Sequence, residues 1–256
     1  MAALVARALE NGERAVIEAA TGTGKTMAYL IPAILSGKRT VVSTATKTLQ
    51  EQILTKDIPL LKSVVARPFS AVLLKGRQNY LCLWNYEAFR QEPRFKRRED
   101  AHYWPAIERW ADRTRHGDRG EIDALPDDYP TWADISMGAE QCLGRECTYF
   151  SDCYVTKARL AAQEANLIVV NHHLYFADLA LRTHTDAALL PNYDAVIFDE
   201  AHNLEETASG YFGKQISNFR YADVLGDVLR MLERENALTD PIRTANLAAT
   251  DRYKAF

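Results

Sequence analysis

Five apolar, β-branched runs punctuate the chain: AVIEAA at 15–20, TVVSTA at 40–45, SAVLLKG at 70–76, NLIVVN at 166–171 and DAVIFDEA at 194–201. Each is short and bounded by polar or turn residues, as strands buried on both faces are. Stretches with helical spacing separate them, KTMAYLIPAILSG at 25–37 after the first and TKTLQEQILTKDIPLLKS at 46–63 after the second. Strand and helix in alternation predict an open parallel α/β sheet. The interval 77–165 breaks this rhythm. It has no comparable strand, yet it holds all four cysteines and all four tryptophans of the chain. It reads as an insert between two parts of one sheet domain. Beyond the last run, Leu225, Val228, Leu229 and Leu232 repeat at helical spacing and predict the start of a helical element.

Composition changes this picture little. The 256 residues are 47% hydrophobic and 25% charged, enough for a sizeable core. A net charge of −3 carries no global basic signature, so any nucleic-acid contact must come from local patches. No charged-then-apolar leader opens the sequence, and Pro32 interrupts the longest apolar stretch, AYLIPAIL. The expectation is a soluble, cytoplasmic protein without a membrane segment. A reducing compartment argues against structural disulfides.

Two motifs carry chemistry. Residues 19–26, AATGTGKT, have the spacing of a phosphate-binding loop between strand and helix. Ala20, Thr21, Gly22, Thr23 and Gly24 would turn backbone N–H groups toward phosphate oxygens, Lys25 would reach the β- and γ-phosphates, and Thr26 would ligate Mg²⁺. The run VIFDEAH ends a strand with adjacent carboxylates. Asp199 would hold the Mg²⁺ and Glu200 would orient and deprotonate the attacking water, with His202 beside them. Together they predict Mg²⁺-dependent hydrolysis of ATP or a related nucleotide.

The cysteines are Cys82, then Cys142, Cys147 and Cys153 in a Cys-x₄-Cys-x₅-Cys set. Disulfides, reduced bystanders and a metal site all accommodate this pattern. Clustered thiolates on a polar segment favour metal, and both zinc and iron–sulfur accept four cysteines.

In order, EAATGTGKT, VVSTATKTLQEQ, LLKGRQNYLC, the cysteine set, ANLIVVNHHL and VIFDEAH make the chain resemble the DinG/XPD family of superfamily 2 DNA helicases, in its bacterial DinG/YoaA branch. The resemblance covers about residues 1–213. It implies a RecA-like motor domain in two parts, 1–76 and 161–213. An inserted, mostly helical domain at 77–160 would hold a [4Fe–4S] cluster on Cys82, Cys142, Cys147 and Cys153. Residues 214–256 would begin a helical arch domain. It further implies a 5′ to 3′ motor on single-stranded or forked DNA, acting in repair or replication near the nucleoid as a monomer. On this reading the cluster pins an insert with little apolar core of its own.

By the same resemblance Thr44, Thr46 and Lys47 are candidate DNA contacts. Arg94, Lys96, Arg97 and Arg98 either flank the DNA path or form a solvated face. Trp84 and Tyr86 either stack on bases or cover the cluster and fill core, and the second is favoured. His172 and His173 read as structural or coupling residues rather than metal ligands. The sequence departs from the family in lacking a second motor domain, its Gln-x-x-Gly-Arg-x-x-Arg stretch and the upstream glutamine motif. These residues are therefore expected to be a partial chain that binds nucleotide weakly and hydrolyses it slowly, since arginine fingers contribute roughly 10³–10⁵ in comparable reactions. The alternatives are a non-catalytic single-strand-binding module and an unrelated ATPase with a zinc-binding insert.

Overall fold

The computed structural model describes residues 1–20, 22–185, 187–213, 225–226, 228–229, 231–232 and 237–254. Residues 1–211 form one compact unit and 212–256 a second. In the first, β1 (Thr40–Thr44), β2 (Ala71–Leu73), β3 (Leu167–Asn171) and β4 (Ala195–Phe198) make a sheet in the order β2-β3-β1-β4. All three pairings are parallel, with Thr40 level with both Leu167 and Ala195, and Ala71 level with Leu167. The alternating pattern therefore yields the parallel α/β sheet it predicts.

Successive residues of a strand face opposite ways, and the two faces are both packed. Val42, Leu167 and Val169 lie in one apolar cluster with Leu30, Ile34, Ile53 and Leu61. Val41, Ile168 and Val170 lie in another with Leu174, Tyr175 and Phe176. Continuous apolar runs, not alternating ones, are what such double burial requires. The first layer is built by α1 (Ala2–Asn11), α2 (Lys25–Ser36), α4 (Ile58–Val64) and the turn that precedes α4, while α3 (Lys47–Gln52) leads into that turn. The expected helix 46–63 is not uniform: a π-helical turn, Ile53–Asp57, separates α3 from α4. Pro59 at the second residue of α4 has no N–H to give the carbonyl four residues back, and the widened turn absorbs that defect.

One expected strand is absent among the described residues. The run 15–20 forms no ladder, and Val16 is fully exposed. It offers only Val16 and Ile17 as β-branched side chains, followed by Glu18 and two alanines, and both edge strands of the sheet, β2 and β4, are themselves only half-buried. Too little apolar area would be covered by the pairing to fix it.

The interval 77–165 is built of α5 (Leu83–Gln91), α6 (Trp104–Ala111), α7 (Trp132–Ile135), α8 (Tyr154–Glu164) and short 3₁₀ turns, with a single isolated bridge between Tyr80 and Asp118. The expectation that it has little apolar core of its own is wrong. Leu81, Tyr86, Phe89, Trp104, Ile107, Tyr129, Trp132 and Ile135 form a buried cluster of their own. Phe89 and Trp104 meet at 4.9 Å between ring centroids. Large rings at irregular spacing fill the space between short helices, which a search for periodic runs does not detect. After β3 follows α9 (His172–His184), and after β4 follows α10 (Leu204–Phe212).

In the second unit Leu225, Val228, Leu229 and Leu232 are helical, and a further helix runs Asp240–Lys254. Residues 214–224 of the expected arch lie outside the described residues.

Candidate active site

The phosphate-loop sequence enters α2 through two glycines with left-handed backbone, Gly22 at φ 75° and Gly24 at φ 77°. Any side chain is strained there, which is the physical reason for glycine at both positions. Gly24 caps α2, its carbonyl accepting from Ala28 N–H at 3.0 Å, and the Thr23 hydroxyl donates to the Ala20 carbonyl at 2.7 Å. Thr21 lies outside the described residues. Lys25 and Thr26 thus occupy the first turn of α2.

The acidic pair arrives from the far end of the chain. Asp199 N–H donates to the Ser43 carbonyl at 2.8 Å, extending the β1–β4 ladder by one residue. Glu200 then takes a left-handed conformation, φ 55°, the only such non-glycine residue described. Strained backbone of this kind persists only where its surroundings hold it. Here the turn lifts Glu200 off the sheet, and its Oε1 meets Lys25 Nζ at 3.2 Å. His202 Nδ1 lies 3.4 Å from the other oxygen. Asp199 is buried. Its Oδ1 accepts from Glu200 N–H and its Oδ2 from the Tyr29 hydroxyl, each at 3.0 Å. Burial, then the Asp199 charge, pushes the Tyr29 phenol far above its usual value, while the Thr26 side chain acts in the opposite sense. Lys25, Thr26, Asp199, Glu200 and His202 therefore share one neighbourhood. Thr26 and Asp199 offer hard oxygen donors with lone pairs to spare, the chemistry that Mg²⁺ selects.

Behind this turn sits His172, 1% exposed, with Nδ1 2.7 Å from the Ser43 hydroxyl. Its Nε2 is buried without a hydrogen bond of good geometry among the described residues. Burial lowers the imidazole pKa, and the backbone of Glu200 and Asp199 only partly opposes this. His173 is exposed against Tyr211, ring to ring at 6.2 Å.

The candidate DNA contacts divide. Thr44 is fully buried and its hydroxyl donates to the Thr46 carbonyl at 3.3 Å, so it supports the segment from within. This corrects the expectation of a surface contact at Thr44. Thr46 and Lys47 are exposed, with Thr46 capping α3 by accepting from Leu49 N–H. The basic run is largely paired: Arg94 with Glu92, Lys96 with Asp134 and Arg97 with Asp128. Arg98 is exposed. Tyr86 is core, 5.7 Å from Trp104, whereas Trp84 is 44% exposed and edge-on to Tyr149.

All four cysteines are free and half-buried. The Cys82 thiol is pushed up chiefly by burial, then by Cys153 and Cys147. Arg77 donates to Cys142 Sγ at 2.9 Å, and Gly144 N–H approaches the same sulfur at 3.4 Å. Arg159 is lowered by burial and by Arg77, against the opposing influence of Cys142 and Cys153. Thiol chemistry of this kind suits a soft metal. Among the described residues, however, no group of three or more His, Cys, Asp or Glu is gathered closely enough to hold an ion. Neither arginine stands out in the sequence. Tyr29 is legible only as the residue one turn past Thr26.

Comparison with known proteins agrees with this geometry. Residues 2–79 match the family model described as DEAD/DEAH box helicase, and 124–220 match DEAD_2. The chain is 40% identical over 228 residues to the ATP-dependent DNA helicase YoaA of Haemophilus influenzae, and 37% to that of Escherichia coli. Each match covers 89% of this chain and 36% of the relative. It is 35% identical to the ATP-dependent helicase DinG of Mycobacterium tuberculosis H37Rv, over 97% of this chain and 39% of that protein. The chain thus spans little more than a third of these relatives. On motifs, sheet and relatives alike, it belongs to the DinG/YoaA family of DEAD/DEAH-type helicases.

Proposed function

We propose that the chain is the nucleotide-binding motor portion of an ATP-dependent 5′ to 3′ DNA helicase acting on single-stranded or forked DNA. One observation carries this reading: Lys25 of the loop and Glu200 of the acidic motif, 175 residues apart in sequence, meet at 3.2 Å. Their pairing makes phosphate binding a competition. A γ-phosphate that takes Lys25 releases Glu200, which then accepts the proton of the attacking water. Lys25 draws charge from the transferring phosphoryl group, and the glycine-lined N–H groups of the loop hold its oxygens. Thr26 and Asp199 would hold Mg²⁺, which would supply charge neutralisation for the phosphate oxygens. His202 orients Glu200 from its free side.

The domain reading stays as the resemblance gives it: motor parts at 1–76 and 161–213, an insert at 77–160 and the start of an arch at 214–256. Cys82, Cys142, Cys147 and Cys153 would hold a [4Fe–4S] cluster whose chemistry is structural, with Arg77 and Arg159 offsetting the charge of the thiolates. Thr46 and Lys47 are the better-placed DNA contacts, since both are exposed. These 256 residues contain no Gln-x-x-Gly-Arg-x-x-Arg stretch, so hydrolysis by them alone should be slow. Among the described residues no helix is long and apolar enough to cross a membrane, in keeping with a DNA-associated protein of the cytoplasm.

The test is fluorescence anisotropy of labelled single-stranded DNA at several salt concentrations, with and without ATP, beside steady-state hydrolysis. Binding that weakens with salt and responds to nucleotide supports the reading, as does turnover well below about 1 per second. Binding indifferent to nucleotide, to Lys25→Ala and to Glu200→Gln would favour the non-catalytic module. Fast DNA-stimulated turnover would refute the slow-hydrolysis expectation.

A further inference from the structure

One buried polar group in the site has no part in the chemistry above. Tyr29 lies three residues after Thr26 and four after Lys25 on α2, so all three share a helix face. Its ring, 2% exposed, packs in the cluster beneath the sheet, where phenylalanine would fill the same space. A buried hydroxyl needs a partner. This one donates to Asp199 Oδ2 at 3.0 Å, across 170 residues of sequence. The opposite oxygen, Oδ1, is held by Glu200 N–H at 3.0 Å. With a donor on each oxygen the carboxylate cannot rotate, and the direction of its remaining lone pairs is set.

We propose that Tyr29 is a positioning residue for the divalent-cation site, fixing Asp199 relative to Thr26 one helical turn away. The inference rests on the nucleotide-site reading and goes beyond it by assigning a residue outside both motifs. Mg²⁺ demands near-ideal octahedral geometry, whereas Ca²⁺ accepts irregular coordination. Loss of the phenol should therefore be felt by Mg²⁺ more than by Ca²⁺. Outer hydrogen bonds of this kind typically change metal affinity by about 10–100-fold.

The experiment titrates Mg²⁺, and separately Ca²⁺, into the chain and its Tyr29→Phe variant in the presence of a fluorescent ADP analogue, with a reference titration of the nucleotide in EDTA. The expected result is equal nucleotide binding in EDTA and a half-saturating Mg²⁺ concentration about tenfold higher in the variant. The Ca²⁺ concentration should shift less. Superimposable Mg²⁺ curves would overturn the proposal, and so would equal losses with Mg²⁺, with Ca²⁺ and in EDTA, which mark a merely structural role. If the unaltered chain binds no nucleotide under any condition, the nucleotide-site reading fails and this inference with it.

Discussion

The nucleotide site and the cysteine region both gather residues from distant parts of the sequence, but they do so by different means. Around Lys25, Asp199 and Glu200 the sheet does the gathering. Parallel ladders fix β1 against β4, the ladder reaches Asp199, and the side chains meet at hydrogen-bonding distance. Around the thiols, among the described residues, there is no ladder, only the isolated Tyr80–Asp118 bridge. Cys82 and Cys153 cap helices, Cys142 and Cys147 flank a 3₁₀ turn, and among the described residues the thiols do not close into a ligand set. The apolar core nearby is aromatic and owes nothing to the sulfurs. Backbone hydrogen bonding thus brings the residues of the first site to contact distance, whereas among the described residues no such framework gathers the four thiols into one set.

The largest effect that could break this comparison is metal content. Anaerobically purified chain should carry about four irons with sulfide and visible charge-transfer absorption, all lost on Cys147→Ser. The aromatic core should keep the variant partly folded by near-ultraviolet circular dichroism. Stoichiometric zinc in a colourless protein would keep the comparison but remove the iron–sulfur assignment. Metal-free protein with full stability would contradict it.

Next in size is the joint between the two regions. Lys75, its side chain 5% exposed, lies 2.6 Å from Asp118 of the interval and 3.2 Å from Glu51 of α3. Asp118→Ala leaves the buried lysine only the half-exposed Glu51 as a partner, so it should lose about 2 kcal/mol in urea unfolding. Lys75→Met removes the buried charge itself and should lose distinctly less. Equal losses would show that packing, not charge, makes the joint.

A smaller effect concerns His172. Its folded pKa is lowered by burial, so the unfolded chain takes up a proton first as pH falls. The stability from the neutral ring is complete above the unfolded value of about 6.5 and is lost as pH drops through the lower folded value. The urea midpoint should therefore fall on acidification below that point, and His172→Gln should flatten the slope. Parallel slopes would mean that other groups titrate.

These two regions were also unequally legible in the sequence. Four of the five apolar runs became strands: the two central ones, β1 and β3, are buried on both faces, and β2 and β4 pair along their edges half-buried. The run at 15–20 failed because Glu18 and its alanines cover too little. The functional side chains of the loop and of VIFDEAH were legible because glycine, lysine and paired carboxylates at fixed spacing have few other uses. Tyr29 and Ser43 were not, since their partners lie 170 and 129 residues away and nothing local marks them, whereas His172 was legible as a structural or coupling residue but not by its partner. Thr44 misled for the same reason: burial is a property of the packed sheet, not of the segment.

The central claim is that the loop and the acidic motif form one nucleotide site in which Glu200 and phosphate compete for Lys25. Equilibrium titration of a fluorescent ATP analogue in Mg²⁺, with Lys25→Ala and Glu200→Gln beside the unaltered chain, tests it directly. The account predicts that Lys25→Ala weakens binding by about 10–100-fold, while Glu200→Gln binds at least as tightly as the unaltered chain. Unchanged affinity in Lys25→Ala, or a loss in Glu200→Gln as large as that in Lys25→Ala, would contradict it.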